Sequence, residues 1–493
     1  MIRDTFDNIL QEKEVRQNLI QLKAELKEES ARTALLYQIG GRYSVFEKLL
    51  INDDAKVRKN TAIIMGILNV PCFLDMLYDA YQKEEQLFVK SSYLDALKNF
   101  DYESLLPELK EKLQILSNLD VSESDRKHVN EEIRSLSDLI INIEGPSGHL
   151  FTGYQVPSEL ILLTNRNFVN ITMDQIKGNS TKEFNAGVMV KCTDLNDILP
   201  IRTYNELLFV LKDLKTCGND VGKAASAIAN SSLMEFLEKL HKGSAPFYFR
   251  IELKSKMELD KKSAFTKKLG MEIERLTKRS LINSTSNYEV ELRLIENKEG
   301  NYNVLIKLYT LKDERFSYRK NVIATSIQPV NAALIVALSK NYLIEDAQVL
   351  DPFCGVGTML IERHKLVHAN TMFGLDTFGE AIEKGKENAK NAKTIAHFVN
   401  RDFFDFKHDY LFDEIITNMP RVMGHKEEEE IYQIYHKFFI KASEHLKQNG
   451  IMILYSHNRE FIKKLMNKKI YKIEEEYEIN KREGTYLFII RYI

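Results

Sequence analysis

Several residue types that mark particular protein classes are scarce in this sequence of 493 residues. Tryptophan is absent, and the four cysteines (Cys72, Cys192, Cys217 and Cys354) lie far apart and form no Cys-x-x-Cys pair. Structural zinc sites and disulfide-rich scaffolds need closely spaced or numerous cysteines. The sequence therefore indicates neither kind of site, and we expect reduced, buried thiols.

Strong net charge and long apolar segments are also missing. The formal charge is −2 at pH 7, so any attraction to nucleic acid has to come from a local patch. No run reaches the roughly 18 apolar residues typical of a membrane helix, and the first residues lack the apolar core of a signal peptide. We expect a cytoplasmic protein with no membrane partner, and a chain of this length predicts two to four domains.

The most informative segment is residues 349–362, Val-Leu-Asp-Pro-Phe-Cys-Gly-Val-Gly-Thr-Met-Leu-Ile-Glu. An apolar strand breaks there into a Gly-x-Gly turn, and a helix follows. Gly355 and Gly357 let a ligand approach the backbone at the carboxyl end of the strand, where open α/β sheets bind ligands. A dinucleotide site would have a third glycine where this chain has Leu360, so S-adenosylmethionine fits better. An ordinary strand-to-helix turn is the alternative.

Polar residues follow the next three predicted strands. Asp376 lies 25 residues after Asp351, about the spacing at which a carboxylate meets ribose hydroxyls in such folds. Asp402 and Phe403 offer an acceptor and a ring for an adenine. Asn418 ends a further strand. The alternation of strands and helices predicts a doubly wound, seven-stranded α/β sheet with a final antiparallel hairpin. The predicted strands are 349–351, 371–376, 395–399, 414–417, 450–456, 471–479 and 486–491, and the main helices are 379–392 and 427–446.

The order of these motifs resembles the RNA guanosine-N2 methyltransferases that carry a THUMP-type RNA-binding region before a Rossmann-like catalytic domain. The resemblance covers about residues 150–493 and includes the segments 315–319 and 328–329. It implies S-adenosyl-L-methionine as cofactor, with the methionine part near Asp351, the ribose at Asp376 and the adenine at Asp402 with Phe403. The full cofactor-binding set that we predict is Asp351, Phe353, Gly355, Gly357, Thr358, Asp376, Asp402, Phe403 and Asn418.

The chain departs from this family in the amine-binding motif, which is usually Asn or Asp, Pro, Pro, aromatic. Here it is Asn418-Met419-Pro420-Arg421, and we predict these four residues as the catalytic set. An Asn side-chain oxygen and a backbone carbonyl can still accept the two N–H groups of an amine. Arg421 can stack on a base and contact phosphate, but it adds a positive charge beside a sulfonium cofactor. An inactive, degenerate site is the alternative.

The first 145 residues are helical in pattern. Residues 57–68 and 89–100 share several apolar positions 32 residues apart, which is typical of HEAT-like repeats, and an unspecialised helical bundle is the alternative. Either would serve docking of a protein or RNA rather than chemistry. Glycine and proline near residues 145–148 mark the boundary. We predict three parts: a helical region 1–145, an α+β THUMP-like region 146–325, and a methyltransferase domain 326–493.

The middle region mixes predicted strands and helices. We expect a helix starting at Pro157, strands at 168–171, 187–192 and 247–253, a helix at 264–279 and a hairpin that joins 288–294 to 303–309. Residues 247–280 contain ten Lys or Arg against five Asp or Glu, so a neutral chain is locally basic there. Phosphate contacts would give such a cluster sequence-independent affinity for RNA. Its members are Lys254, Lys256, Lys261, Lys262, Lys267, Lys268, Lys278 and Arg279.

Histidines and acids give little sign of a metal site. His364 and His368 have helical i, i+4 spacing, but Lys365 stands where a zinc protease motif has glutamate, so we predict no metal. His425 follows the amine-binding loop and is a surface or substrate-contacting candidate.

Together with the family resemblance, the motifs along the chain predict a cytoplasmic RNA methyltransferase that acts on guanosine N2 in tRNA or rRNA. An adenine-N6 methyltransferase and a non-catalytic RNA-binding protein that keeps the fold are the alternatives.

Overall fold

The computed structural model describes residues 2–117, 119, 121–122, 124–145, 148–243, 245–421 and 428–493. His425 lies outside these residues. The chain forms two compact units. The first contains Met1–Gly148, Ala245–Phe249 and Ile273–Tyr288, and the second contains the remainder, which ends at Ile493. The three-part division of the sequence stays a prediction. No helix in the described ranges is long and apolar enough to span a membrane.

The first unit consists mainly of helices. They are α1 (Ile2–Leu10), α2 (Val15–Glu25), α3 (Glu29–Ile39), α4 (Ser44–Leu50), α5 (Ala55–Leu68), α6 (Phe73–Lys83), α7 (Leu87–Leu97), α8 (Leu106–Ser117) and α9 (Arg126–Glu144). The two helices with matching sequence, α5 and α7, pack against each other. A Cβ at Gly66 would lie 2.9 Å from the Cα of Ala96, so glycine permits this close approach. The HEAT-like assignment stays a prediction.

The middle of the chain forms short helices and a largely antiparallel sheet. Its strands are β1 (Leu150–Phe151), β2 (Ser158–Thr164), β3 (Ser180–Phe184), β4 (Gly187–Cys192), β5 (Tyr204–Val210), β6 (Thr216–Cys217), β7 (His241–Lys242), β8 (Phe247–Lys254), β9 (Leu281–Asn283), β10 (Val290–Glu296) and β11 (Tyr302–Leu308). Its helices are α10 (Val169–Met173), α11 (Val221–Ala229), α12 (Leu233–Leu240) and α13 (Leu259–Leu276). Strands β3, β4, β2, β5, β11 and β10 are neighbours in that order.

Two expectations for this region are wrong. Pro157 precedes strand β2 rather than a helix, and residues 169–173 form helix α10 rather than a strand. Strand β2 is paired on both sides, with β4 and with β5, so tertiary pairing overrides the helix preference of its leucines. The hairpin prediction is confirmed, because β10 and β11 pair from Val290 with Leu308 to Glu296 with Tyr302.

The last part of the chain builds an α/β sheet. Its strands are β12 (Ala347–Asp351), β13 (Ala369–Asp376), β14 (His397–Asn400), β15 (Phe412–Asn418), β16 (Leu446–Ser456), β17 (Tyr471–Asn480) and β18 (Thr485–Tyr492), and its helices are α14 (Pro329–Leu338), α15 (Thr358–Leu366), α16 (Gly379–Asn391), α17 (Glu428–Ser443) and α18 (Arg459–Leu465). The seven strands lie in the order β14-β13-β12-β15-β16-β18-β17. Strands β12 to β16 are parallel to one another, and β18 runs antiparallel to both of its neighbours, β16 and β17.

Both faces of this sheet are buried. On β12, Val349 belongs to one apolar cluster with α14, α15 and α16, while Leu350 belongs to a second cluster with α17 and α18. The same alternation recurs at Ile416 and Ile415 on β15. Strands covered on both sides have continuous apolar sequences, which explains the apolar runs from which they were predicted. The parallel strands β12, β13, β14 and β15 end at one edge, where the candidate site lies.

Candidate functional site

A cavity of about 790 Å³ opens at the carboxyl edge of the α/β sheet. It collects side chains that are far apart in sequence but follow the ends of neighbouring strands. Of the predicted site residues, these line it: Asp351, Phe353, Gly355, Thr358, Asp376, Asp402, Phe403, Asn418, Met419, Pro420 and Arg421. Gly357 is not part of the lining. The sequence therefore placed almost all of its candidate residues around a single cavity.

The turn after β12 contains two glycines, Gly355 and Gly357, which the structure needs for different reasons. Both adopt positive φ, 51° at Gly355 and 78° at Gly357. Among the described residues other than its chain neighbours, the atom nearest to a Cβ built at Gly355 is Ile323 Cδ1 at 3.8 Å, so the backbone there is open to a ligand. A Cβ at Gly357 would lie 2.6 Å from the Phe398 ring. Gly357 is therefore required for packing, and the expectation that it admits a ligand is not supported by its position.

Asp351 is a buried acid at the floor of the cavity. Its Oδ1 accepts hydrogen bonds from Phe353 N at 3.1 Å and from Thr417 Oγ1 at 2.6 Å. Burial raises the pKa of Asp351 to about 7, and the charge of Asp376 adds to the rise, while the two hydrogen bonds oppose it. A cation placed in this cavity would favour the ionised carboxylate.

Asp376 and Asp402 hold the loops beside the cavity. The Asp376 carboxylate accepts from Gly355 N and from Phe378 N, both at 2.9 Å, so it fixes the glycine turn as well as facing the cavity. Asp402 accepts from Phe404 N at 2.9 Å. Each carboxylate oxygen has two lone pairs, so both acids retain capacity to accept hydroxyl or amine hydrogens. The sequence did not reveal the structural part of these roles.

Two further features of the cavity suit a ligand with polar and aromatic parts. Thr358, the first residue of α15, has a buried hydroxyl oxygen without a hydrogen-bond partner within the described residues. Buried polar atoms are normally hydrogen-bonded, so an unpartnered one at a cavity wall suits a ligand group. The buried Phe403 ring meets the Phe353 ring at a centroid distance of 6.2 Å and forms an apolar wall.

The segment after β15 is held rigidly while Asn418 reaches the cavity. Met419 is buried, and its N–H donates to Tyr455 O at 2.9 Å. The Pro420 carbonyl accepts from the Tyr435 hydroxyl at 3.1 Å. These bonds fix the backbone on both sides of the peptide that follows Met419. Half-buried Asn418 is thereby presented at the cavity with a defined backbone orientation.

Arg421 is exposed at the rim of the same cavity and contacts a histidine. Its Nη1 lies 3.1 Å from His457 Nε2, and His457 Nδ1 lies 3.3 Å from the Glu483 carbonyl oxygen. His457 was not singled out from the sequence. One available signal was its place directly after β16, where other strand ends carry site residues. Glu483, on the turn between β17 and β18, had no such signal.

The segment before α14 also lines the cavity, at residues 324–328. It is anchored by Asn388, a fully buried side chain that accepts from Asn321 N and donates to Asn321 O and Val356 O. Because Val356 belongs to the glycine turn, one amide side chain ties this segment to that turn. A buried asparagine inside an amphipathic helix pattern was the only sequence signal for this contact.

The two histidines with helical spacing do not form a shared site with other ligands. His364 Nδ1 accepts from Ala369 N at 3.2 Å, and His368 Nδ1 lies 2.6 Å from Asp346 Oδ1. Glu345, Asp346 and His368 have possible ligand atoms within 4.8 Å of one another, but all three are exposed at the surface, where acids commonly cluster without a metal. This group therefore carries no assignment.

Some solved structures share the architecture of the chain. One similar structure is TrmN from Thermus thermophilus, which is 16% identical to this chain with a TM-score of 0.52. The alignment covers 68% of this chain and 99% of TrmN. SMU.472, described as a methyltransferase and complexed with SAH, is 12% identical with a TM-score of 0.54, covering 68% of this chain and 98% of its own. A Listeria monocytogenes protein described as a predicted N6-adenine-specific DNA methylase is 16% identical with a TM-score of 0.51. The alignment covers 68% of this chain and 96% of that protein. At these identities the likeness establishes the fold.

No curated protein matches the chain by sequence. A family profile does match: residues 317–486 correspond to the family described as UPF0020: RMKL-like, methyltransferase domain. This range contains the glycine turn, Asp376, Asp402 and the segment Asn418–Arg421. Residues 317–486 therefore form a methyltransferase-like α/β domain.

Proposed function

We propose that this protein is an S-adenosylmethionine-dependent RNA methyltransferase that modifies an exocyclic base amine, with guanosine N2 in tRNA or rRNA as the first candidate. One observation carries the proposal. Asn418, the candidate acceptor for the amine, opens into the same cavity as the glycine turn, Asp376 and Asp402. Methyl transfer requires donor and acceptor groups to meet in a single site, and this cavity offers residues suited to each.

The cavity residues fit the cofactor. Its ammonium and sulfonium groups are cationic, and Asp351, Asp376 and Asp402 place acids along the cavity. The open backbone at Gly355 and the unpartnered hydroxyl of Thr358 would meet its methionine part. Asp376 would accept from the ribose hydroxyls, and Asp402 with Phe403 would bind the adenine amine and ring face. When bound, S-adenosylmethionine supplies an electrophilic methyl group.

Asn418 would orient the amine for attack. The lone pair of an exocyclic amine is delocalised into the ring, so the amine is a poor nucleophile unless its two N–H groups are directed away from the methyl donor. The Asn418 side-chain oxygen would accept one N–H and the Met419 carbonyl the other. The bonds from Tyr435 to Pro420 O and from Met419 N to Tyr455 O hold both acceptors in place. The amine releases its proton to solvent as the new bond forms, so no dedicated base is needed.

RNA binding would come from the middle of the chain. Lys261, Lys262, Lys267 and Lys268 lie on α13, and none of them is buried. Arg279 differs from the expectation, because its side chain is largely buried and donates to Ser137 Oγ and pairs with Glu274 at 3.5 Å. The lysines of α13 are thus the part of the predicted cluster best suited to phosphate contacts. We include a THUMP-like role for this region in the proposal.

An adenine-N6 methyltransferase is the second candidate. The description of the Listeria monocytogenes relative names that chemistry, and the amine geometry that Asn418 would impose is the same for both bases. A non-catalytic RNA-binding protein is the third, favoured by Arg421 in place of the family's aromatic residue. The three candidates differ in the product that they leave on RNA.

Nucleoside mass spectrometry tests the proposal. The purified protein is incubated with total RNA from cells that lack it and with isotopically methyl-labelled S-adenosylmethionine. We expect label in N2-methylguanosine, and none when Asn418 is changed to Ala. Label in N6-methyladenosine would select the second candidate. Binding of S-adenosylhomocysteine without label in any nucleoside of the total RNA would select the third.

A further inference from the structure

The contact between Arg421 and His457 has a fixed direction. A guanidinium carries five N–H donors and no acceptor, so Arg421 Nη1 must donate and His457 Nε2 must accept at their separation of 3.1 Å. An imidazole nitrogen accepts only when it carries no proton. His457 therefore has to be neutral with its proton on Nδ1 whenever this hydrogen bond exists.

The surroundings of His457 support the same tautomer. Nδ1 faces the carbonyl oxygen of Glu483 at 3.3 Å, and a carbonyl needs a donor. The groups that face the ring are Arg421 beyond β15, Glu483 on the β17–β18 turn, and Tyr455 on β16, whose ring lies at a centroid distance of 6.2 Å. The half-buried imidazole is thus surrounded by the guanidinium of Arg421, the backbone carbonyl and side-chain carboxylate of Glu483, and the neutral phenol of Tyr455.

Arg421 lines the same cavity as Asn418, the proposed acceptor for the substrate amine. It is three residues after Asn418 in a segment whose backbone is fixed by Tyr435 and Tyr455. Free arginine side chains sample many rotamers, and ordering one on substrate binding costs conformational entropy. A neutral histidine that accepts one of its N–H groups lowers that cost in advance, because the guanidinium is already oriented when substrate arrives.

We propose that His457 is a positioning residue for Arg421: in its neutral Nδ1–H form it holds the guanidinium at the cavity rim beside Asn418, where the arginine contacts the substrate in place of the family's aromatic ring. This inference rests on the proposed function, because it assigns Arg421 to the substrate rather than to the cofactor. The pair would make substrate handling depend on the protonation of a single histidine.

Protonation of His457 would remove its hydrogen bond with Arg421. The Nε2 acceptor disappears, and two cations are then left 3.1 Å apart. Burial, and then the charge of Arg421, lower the pKa of His457, while the Glu483 carbonyl and carboxylate oppose that shift. The neutral form is therefore favoured around neutral pH, and the arginine is released only in acid. The expected consequence is that RNA binding weakens in acid through His457, separately from the effect of Asp351 on cofactor binding.

Nitrogen-15 NMR of labelled histidines tests the geometry without requiring activity. His457 is assigned by loss of its signal in His457→Gln. We expect the Nδ1–H tautomer in the neutral wild-type protein and a higher His457 pKa in Arg421→Ala, since removal of the cation stabilises imidazolium. The Nε2–H tautomer, or a pKa that is the same in Arg421→Ala, would overturn the proposal whether or not the protein methylates RNA.

Kinetics on the methylated RNA test the function of the pair. His457→Ala should raise the KM for RNA about tenfold, as expected for removal of a hydrogen bond to a charged group, with unchanged affinity for S-adenosylhomocysteine. The effect should be absent in an Arg421→Ala background, because the two residues act as a unit. His457→Gln keeps an acceptor that does not titrate, so at saturating S-adenosylmethionine it should retain a near-normal KM for RNA and lose the acid limb of kcat/KM for RNA.

His436→Gln is the matched control, since His436 is exposed on α17 and should leave both KM and the pH profile unchanged. An additive double variant, or an acid limb that persists in His457→Gln, would contradict the proposal. If the wild-type protein labels no RNA, the proposed function fails, and the NMR result still decides the Arg421–His457 assignment separately.

Discussion

At the scale of single residues, the surroundings of the buried Asp351 carboxyl strongly raise its pKa. It lies beneath the glycine turn, accepts two hydrogen bonds and has Asp376 as a neighbouring charge. Its pKa of about 7 means that it is partly protonated near neutral pH. The folded chain holds this proton more tightly than the unfolded chain does, so the residue's contribution to stability falls as pH rises from about 4 to about 7.

Cofactor binding should change with pH in the opposite direction. A cationic ligand group favours the ionised form of Asp351, so we expect affinity for S-adenosylhomocysteine to rise between pH 6 and 8 and a proton to be released on binding at pH 6. Calorimetry in buffers of different ionisation enthalpy measures that proton. Asp351→Asn keeps a hydrogen-bond acceptor for Phe353 N and Thr417 and should remove the pH dependence. The same pH dependence in the variant would assign it to another group.

The amine-binding assignment predicts a different signature for Asn418. Asn418→Ala should leave S-adenosylhomocysteine affinity near normal while lowering turnover by on the order of a hundredfold, because the contact matters most as the amine lone pair turns to the methyl group. Asn370→Ala is the matched control, since Asn370 is exposed at the start of β13, on the edge of the sheet away from the cavity. Equal turnover of both variants would remove Asn418 from the reaction.

At the scale of elements, helix α15 connects the glycine turn to the middle of the chain. Glu362 on this helix is almost fully buried, and its two oxygens accept from Arg202 Nε and Nη2 at 2.7 and 2.6 Å. The Tyr318 hydroxyl donates to the same carboxylate at 2.6 Å. Glu362 lies one helical turn after Thr358, the first residue of the helix. The network thus holds the helix that presents the turn to the cavity.

Glu362→Gln should destabilise the fold strongly for an isosteric change. The amide leaves one N–H group facing the Arg202 donors, so we expect the free energy of unfolding in urea to fall by about 2–4 kcal/mol. Glu380→Gln is the control, because Glu380 is exposed in an i, i+4 pair with Lys384 and should cost less than about 1 kcal/mol. A smaller loss for Glu362 than for Glu380 would show that the network does not hold the helix.

The central strands of the α/β sheet could be predicted from sequence because they are buried on both faces and appear as apolar runs, and β13 at 369–376 closely matches the expected 371–376. The edge strand β17 at 471–480 also matches the expected 471–479, although its sequence is largely polar and most of it is only partly buried. Short elements under competing influences could not be predicted. Helix α10 has five residues, too few for a helical period to show, and β2 contains four consecutive apolar residues whose state only its two partners decide.

The candidate site likewise contains residues that could be predicted from sequence and residues that could not. Residues on or after strand ends, such as Asp376 and Asn418, could be predicted because chain order fixes them at one edge of a parallel sheet. His457 and Glu483 come from separate connections, and their meeting with Arg421 depends on how β16, β17 and β18 fold onto the sheet. Gly357 had the expected backbone conformation, but its neighbour Phe398 lies 41 residues away in sequence, so its packing role required the structure.

At the scale of the whole molecule, a chain with a formal charge of −2 would bind RNA, as proposed, through a local surface. Helix α13 offers such a surface at Lys261, Lys262, Lys267 and Lys268, of which Lys261 pairs with Glu258 at 3.0 Å. Lysine–phosphate contacts release counterions, so their number is measured by the salt dependence of binding. The cofactor site draws its lining from other residues, so the two binding events should respond separately to changes on this helix.

Charge reversal of Lys267 and Lys268 to Glu should weaken RNA binding. The slope of log K against log salt should fall by about 0.7 for each phosphate of single-stranded RNA that the variant no longer neutralises. Affinity for S-adenosylhomocysteine should stay the same. Lys468 and Lys469 provide a matched adjacent pair: they precede β17, which is parallel to β16 and therefore starts at the sheet edge opposite the cavity. Both double variants change the net charge equally, so a general field effect would weaken binding in each. Fluorescence anisotropy over a salt series measures both slopes. A smaller slope for the α13 variant alone would indicate that Lys267 and Lys268 bind phosphate directly. An equal slope in both variants would show that the lysines of α13 are only solvent-exposed and do not contact RNA.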